Sequence, residues 1–416
     1  MILLKLMALP LAVVTVVHAL TLEEALARAE QNNPGLQVLL AEVAIAEGAK
    51  TGAGVRANPE LTIGPGVVRS TSDGATNYQF RGEVSISQTF EFPGKRSLRL
   101  LLADGEVKYR QIAIDGFRQQ MGIQARQAFF QTLVAREVRG LRAEQLGTAE
   151  TFLKAAKNRV ASGYASAFEL VQAQADRIAA AKAVSQAQGQ ERSAKLKLAQ
   201  RMGSPTDTSF EVQGNLDSAM NTTEIVNPFA LALAKNPAVL AMALRIELSD
   251  KELQAAAMAS KPDLTVSPAV EYSRDEQAFS VGFSVPLPVW NRGSGQIATA
   301  TAEKRRALGE MEKLRQELTS SIHLAQERVA NARAQRDLYT PEFMADLKSI
   351  MQRAEKVYDQ SATSLLMYLE ARRSYYASLS DYYDTIGQLT EAQSELASAM
   401  GFWATTTTES NLVGKP

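Results

Sequence analysis

Glu83–Val84–Ser85–Ile86–Ser87–Gln88–Thr89–Phe90–Glu91–Phe92 is the stretch whose reading decides the fold. Val84, Ile86, Phe90 and Phe92 share one side of an extended chain. Glu83, Ser85, Ser87, Thr89 and Glu91 share the other, and only Gln88 interrupts the apolar row. A period of two predicts a β-strand. Just upstream, Leu61, Ile63 and Val67 alternate in the same way, and the polar run Ser70–Thr71–Ser72–Asp73–Gly74 supplies a turn. Nearly everything else in the chain reads as helix. A lone hairpin is marginal in water, and helices cannot pair its edges, so the rest of the chain has to explain how it survives.

Composition removes several classes of function. The 416 residues carry 45 Lys plus Arg and 45 Asp plus Glu, so there is no basic excess of the kind nucleic-acid binders show. There is no cysteine, which excludes disulfides, thiolate metal sites, a Cys nucleophile and a lipidated N-terminal Cys. His18 and His323 are the two histidines. With no Gly-rich phosphate loop and no clustered ligands at metal spacing, the sequence offers no catalytic residues, no cofactor site and no metal site, and an enzyme is not expected. The start reads as a secretory signal over residues 1–19. Lys5 precedes an apolar run from Leu6 to Val17, and Val17–His18–Ala19 sets small residues at −3 and −1 of a cleavage point. No other stretch reaches the ~18 apolar residues of a transmembrane helix.

Self-comparison shows that the chain is written twice. Leu26–Pro34 resembles Phe229–Pro237, offset by 203 positions (Asn33 to Asn236), and Asn58–Thr62 meets Lys261–Thr265 at the same offset. Pro65 then falls on Pro268 and Val67 on Val270. The hairpin has a twin: Leu264, Val266, Val270 and Tyr272 form one apolar row, and Phe279, Val281, Phe283, Val285 and Leu287 the next. Repeat 1 covers 20–203, with strands over about 60–92, a long helix over about 97–161, a tip at 162–167 and a returning helix to 202. Repeat 2 covers 228–401, with strands over about 263–288, a long helix over about 295–360, a tip at 360–364 and a returning helix to 400. The aperiodic stretch 204–227 is a linker, and 402–416 is a Thr-rich flexible tail.

The long helices pack lengthwise. Met311, Leu314, Leu318, Ile322, Ala325, Val329 and Ala332 make a heptad-like seam, and about 65 residues at ~1.5 Å each span roughly 100 Å. Gly163 reads as a helix C-cap and Ser166 as an N-cap, and Ser364 can cap in the same way. Four strands per chain cannot close a barrel. In a membrane no backbone edge can stay unpaired, so several chains must pool strands: two would give eight, three would give twelve with room for a lumen. A strand with one apolar face, such as Phe279–Leu287, suits an outer-membrane barrel, although soluble antiparallel sheets alternate too. Tyr78, Phe80, Phe92, Tyr272 and Trp290 sit near strand ends, as interface aromatics do. Pro65 and Pro268 remove ladder donors and are expected at a rim or a bulge.

The internal duplication, strand hairpins feeding very long helices, and the tips together resemble the TolC family of outer membrane efflux proteins, over roughly Leu20 to Gly401. Gly163, Glu169 and Val171–Gln172–Ala173 resemble the family's first tip; Tyr358 and Leu369–Glu370–Ala371 resemble its second. The resemblance implies a mainly α fold with a small β contribution: a homotrimer with a twelve-stranded barrel in outer membrane lipid, on an α-helical tunnel that extends into the periplasm of a Gram-negative cell. It also implies two partners, a periplasmic adaptor (membrane fusion protein) meeting the tips at Gly163, Ser166, Ser361 and Ser364, and an inner-membrane pump of the resistance-nodulation-division class. Carried over residue by residue, Glu169 and Tyr358 match a periplasmic latch. Met367 and Glu370 match an acidic constriction ring that is only half acidic here, and a basic gate position falls on Thr363. Phe92–Pro93–Gly94–Lys95–Arg96 resembles the heavy-metal (Czc/Cus-type) branch. The expected function is therefore the passive exit duct of a tripartite efflux system, with heavy-metal cations as possible cargo. The rival reading is a periplasmic coiled-coil adaptor or structural hairpin protein.

Overall fold

The structure is a computed structural model that describes residues 18–72, 74–216, 225–274, 276–360 and 365–403. The signal-like run 1–17, the second-tip residues Ser361, Thr363 and Ser364, and the tail from Ala404 lie outside the described residues. In order, the elements are β1 (His18–Leu20), α1 (Leu22–Asn32), α2 (Pro34–Gly54), β2 (Glu60–Ser72), β3 (Ala75–Phe90), α3 (Lys95–Ala161), α4 (Ala167–Arg201) and β4 (Phe210–Val212), then α5 (Pro228–Lys235), α6 (Pro237–Ala259), β5 (Leu264–Ser273), β6 (Gln277–Ser284), α7 (Ser294–Asp337), α8 (Pro341–Asp359) and α9 (Leu365–Met400). The chain divides into two units. One comprises 37–115 and 237–317; the other comprises 1–36, 116–236 and 318–416.

The first of these units carries the sheet. Its four antiparallel strands lie in the order β2–β3–β5–β6, so the two hairpins of the two repeats pair side by side through β3 and β5. Register aligns the apolar rows: Ile63 opposes Val84, Val84 opposes Val270, and Val270 opposes Phe279. That row is open to the surroundings, with Ile63 66%, Phe279 74% and Phe283 70% exposed. The opposite face carries Thr62, Ser85, Thr89, Thr265 and Ser280, with an Arg81–Glu271 ion pair. From Phe80 to Phe90 the row runs about 34 Å at ~3.4 Å per residue, which a ~45° tilt reduces to about 24 Å, close to the ~25 Å apolar band of a membrane barrel.

Three features of the sheet depart from expectation. Pro268 is neither at a rim nor at a bulge. The β3–β5 register is unchanged on both sides of it, but pairing stops at Ser85–Ala269 and resumes at Gln88–Val266, so the missing N–H costs the ladder two positions without adding a residue. Pro65 also sits mid-strand, opposite Gly82, and the β2–β3 register continues unbroken on both sides of it. The last strand ends at Ser284 rather than near 288, since Pro286 and Pro288 cannot donate to a ladder and Val285 and Leu287 leave it exposed.

The base of the sheet is anchored by charge. Asp263 accepts from the Phe92 backbone N–H at 2.8 Å and from Lys95 Nζ at 2.8 Å, tying the entry of the second hairpin to the exit of the first. Arg96 and Arg99 donate to the carbonyls of Gly54 (2.7 Å) and Ala53 (2.8 Å), the otherwise unpaired C-terminal end of α2. The basic residues after Pro93 thus close helix ends and hold the two hairpins together.

The second unit holds the buried clusters. Phe129, Leu133, Leu198, Met202, Phe210 and Leu20 form the largest. Phe210 and Val212 belong to β4, which pairs in parallel with β1, so the stretch 204–227, expected as an aperiodic linker, carries a short strand whose F-E-V alternation is too brief to read from sequence. His18–Leu20 being a strand also places the expected cleavage point within that pairing. The seam residues of α7 are buried as their spacing requires, with Ile322 at 1% and Ala325 at 4%, except Leu314, which is half-buried. The second long helix, expected over about 295–360, is broken. Thr340 is extended (φ −68°, ψ 155°) and caps α8 by accepting from Phe343 N, with Pro341 in the first turn. The first long helix has no such break and runs 67 residues.

Candidate functional site

The first tip is a tight turn built from two caps. Gly163 adopts φ +75°, a conformation that favours glycine. Its N–H bonds Val160 O at 3.0 Å and the Tyr164 N–H bonds Arg159 O at 2.8 Å, the double closure of a Schellman motif. Three residues later the Ser166 hydroxyl accepts from Glu169 N at 3.3 Å and starts α4. Ser166 and Glu169 have the spacing of a capping box, in which the Glu carboxylate would return to the Ser166 N–H. Here it does not. Glu169 Oε1 instead accepts a hydrogen bond from the Tyr358 hydroxyl, at the end of α8.

Tyr358 is 2% exposed and sits in an aromatic cluster. Its ring stacks on Tyr368 of α9 at 5.2 Å and 14°, and both rings tilt against Phe152 of α3 at 5.5 and 5.4 Å. The Arg159 guanidinium lies 4.9 Å from the centre of the Tyr358 ring. Ala173, fully buried, leaves room on α4 for the aromatic rings. One helical turn beyond Tyr368, Arg372 lies 5.6 and 5.8 Å from the ring centres of Tyr368 and Phe152 and forms an ion pair with Asp176 of α4. Burial pulls the Arg372 pKa below its ordinary value. Higher on α9, burial pushes the Tyr376 phenol up to about 12, so this ring stays neutral beside Thr148.

The structure therefore brings Glu169 and Tyr358 together and leaves Met367 and Glu370 elsewhere on the tip. Met367 is 65% exposed, and Glu370 is exposed with Arg373 as an ion partner at 3.6 Å. Gly163 and Ser166 are exposed at the turn. Of the aromatics singled out from sequence, Tyr78, Phe80 and Tyr272 share the apolar face near the turn end of the sheet, at 69, 58 and 52% exposure. Phe92 and Trp290 lie past the other end of the strands, Trp290 at 96% exposure. Among the described residues no group of three His, Asp or Glu stands close enough to hold a metal ion. Sequence reasoning missed Phe152, Tyr368, Arg372 and Asp176. The available signal was phase: Glu169, Ala173 and Asp176 recur on one face of α4, as Tyr368, Arg372 and Tyr376 do on α9.

The sequence matches the family described as "Outer membrane efflux protein" over residues 25–204 and 229–402, one segment per repeat. It is 26% identical over 388 residues to the cobalt-zinc-cadmium resistance protein CzcC of Cupriavidus metallidurans, covering 92% of this chain and 90% of that one. Among solved structures, CusC superposes with a TM-score of 0.71 at 16% identity, covering 92% of each chain. The open-state MtrE outer membrane channel of Neisseria gonorrhoeae superposes with a TM-score of 0.73 at 16% identity, covering 92% of this chain and 89% of that one.

Proposed function

The chain belongs to the outer membrane efflux protein family, and we propose that three copies form one conduit, the passive exit duct of a tripartite system that exports divalent heavy-metal cations. One observation carries the assembly: a four-stranded sheet with an exposed apolar face and two edges, β2 and β6, that no other strand pairs among the described residues. In lipid those edges must pair, and joining β6 of one copy to β2 of the next closes twelve strands in three copies. The apolar row then faces lipid, with Tyr78, Phe80 and Tyr272 at one interface and Phe92 and Trp290 at the other. The Thr/Ser face lines the lumen. Metal as cargo rests on the likeness to CzcC. Since the chain has no cysteine and only two histidines, the duct conducts the cation without ligating it, and the pump selects.

In this reading the periplasmic end is held closed by Glu169–Tyr358, with Glu370 of the three copies at the entrance. The tips at Gly163, Ser166, Ser361 and Ser364 receive the adaptor, coupled to an inner-membrane pump of the resistance-nodulation-division class. The test has two parts. Purified from outer membranes, the protein should run as a heat-modifiable trimer. A deletion strain should lose resistance to cobalt, zinc and cadmium while its response to a dye panel is unchanged. A detergent-independent soluble protein would refute the conduit; dye sensitivity without metal sensitivity would refute the cargo.

A further inference from the structure

We propose that Arg372 and Asp176 are positioning residues of the periplasmic closure. Their ion pair locks the returning helix of one repeat to that of the other and thereby holds Tyr358 where it can reach Glu169. This rests on the reading of the tip as a closed gate and extends it from the surface bond to the charge pair behind.

Geometry supplies the linkage. Asp176 lies seven residues beyond Glu169 on α4, about two turns or ~10 Å along the axis, and on the same face. Arg372 lies one turn beyond Tyr368 on α9, in cation–π range of it. Tyr368 in turn stacks on Tyr358. Force on the α4–α9 contact thus passes from Arg372 through Tyr368 to the hydroxyl that holds Glu169.

Burial supplies the one-sidedness. The Arg372 side chain is 3% exposed, and its Nη1 has no hydrogen-bond partner among the described residues. Asp176 is the one anion paired with it there. Moving α4 away from α9 would leave a guanidinium among Phe152 and Tyr368 with no counter-charge, the costly way to break a buried pair. Arg373, one residue on, shows the contrast: it is 79% exposed, and its contact with Glu370 is solvated.

The duplication supplies specificity. At the tip offset of 198 positions (Ser166 to Ser364), Asp176 corresponds to Ser374 and Arg372 to Gln174. Neither repeat holds both halves of the pair. The bond is made between repeats, where a mobile second hairpin would have to part from the first.

The full-length trimer would be reconstituted in planar bilayers as wild type, Asp176→Asn, Arg372→Met and the exchange Asp176→Arg/Arg372→Asp, with Tyr358→Phe in parallel. Trimer content and melting would be measured on each sample. Either single variant should raise the open fraction at least tenfold, and the exchange should recover at least threefold of that loss of closure. If Arg372→Met does not assemble, the isosteric Asp176→Asn decides. Trimers of Asp176→Asn that stay as closed as wild type overturn the proposal, as does an exchange variant no more closed than the singles, which would mark a packing role. If Tyr358→Phe opens and Asp176→Asn does not, this pair is wrong and the gate stands. If neither opens, the gate itself is wrong.

Discussion

Replacing Tyr358 by Phe removes one hydroxyl and leaves the stacked ring in place. The lost bond is to a carboxylate, and such bonds contribute about 1.5–3 kcal/mol. Tyr358 is 2% exposed, so water does not replace its partner freely. Part of the loss returns, because the freed Glu169 carboxylate can swing to the Ser166 N–H and complete the capping box it now leaves open. That recovers roughly 0.5–1 kcal/mol, for a net of about 1–2 kcal/mol per chain. Three chains opening together give about 3–6 kcal/mol, an increase of roughly 10²- to 10⁴-fold in the open-to-closed ratio. Single-channel recording would read this as a shift from rare flickers to sustained conductance. Stability should barely change, since the aromatic cluster is intact. An open fraction within threefold of wild type would refute the latch, and a large fall in melting temperature would show that the hydroxyl serves the fold instead.

Gly163→Ala places a side chain at φ +75° and should destabilise the tip by about 1 kcal/mol; protease nicking at 162–166 is the sensitive readout. Gly105→Ala sets a methyl 2.1 Å from Leu248 Cδ2, so the buried Leu248 side chain must repack, at about 1–3 kcal/mol by thermal unfolding. Pro268→Val restores a ladder donor opposite Ile86 and should raise the temperature at which the trimer dissociates; a lower temperature would mean the gap is needed. Asp104 is held down at about 2 by Lys50 and Lys108. Its contribution is therefore complete above the ordinary carboxylate range and is lost as pH falls through about 2. Asp104→Asn should be less stable than wild type at pH 7 and nearly as much so at pH 4, with the two curves meeting near pH 2.

How much of this was legible depended on range. The hairpins were readable because alternation is local, and their twin was readable because duplication repeats it in register. Gly163 and Ser166 were readable as caps because the φ preference of glycine and the reach of a serine hydroxyl operate within four residues. The break at Thr340 was harder. A proline at the first turn of a new helix and a proline inside an old one differ only in whether the preceding residue can cap, and Thr340 can. The C-terminal end of the second hairpin is hard to read because Val285 and Leu287 keep the apolar rhythm, while Pro286 and Pro288 cannot keep the ladder. Asp176 and Arg372 are 196 positions apart, and although helical phase sets Arg372 with Tyr368 and Tyr376 and apart from exposed Arg373, it does not say what that face meets. Only the packing of four helix segments does.

The interruption at Leu338–Thr340 changes what the two halves of the molecule can do. α3 is a single 67-residue rod, whereas its counterpart is a 44-residue rod followed by a separately capped 19-residue segment. Tyr358 stands 17 residues beyond Pro341, about 26 Å at ~1.5 Å per residue. A rotation of about 15° at Thr340 would sweep its hydroxyl about 7 Å, well past hydrogen-bond reach, without bending either helix. The duplication gives two long arms, and a capping threonine and a proline in the middle of one give that arm a joint which the other, continuous over 67 residues, lacks.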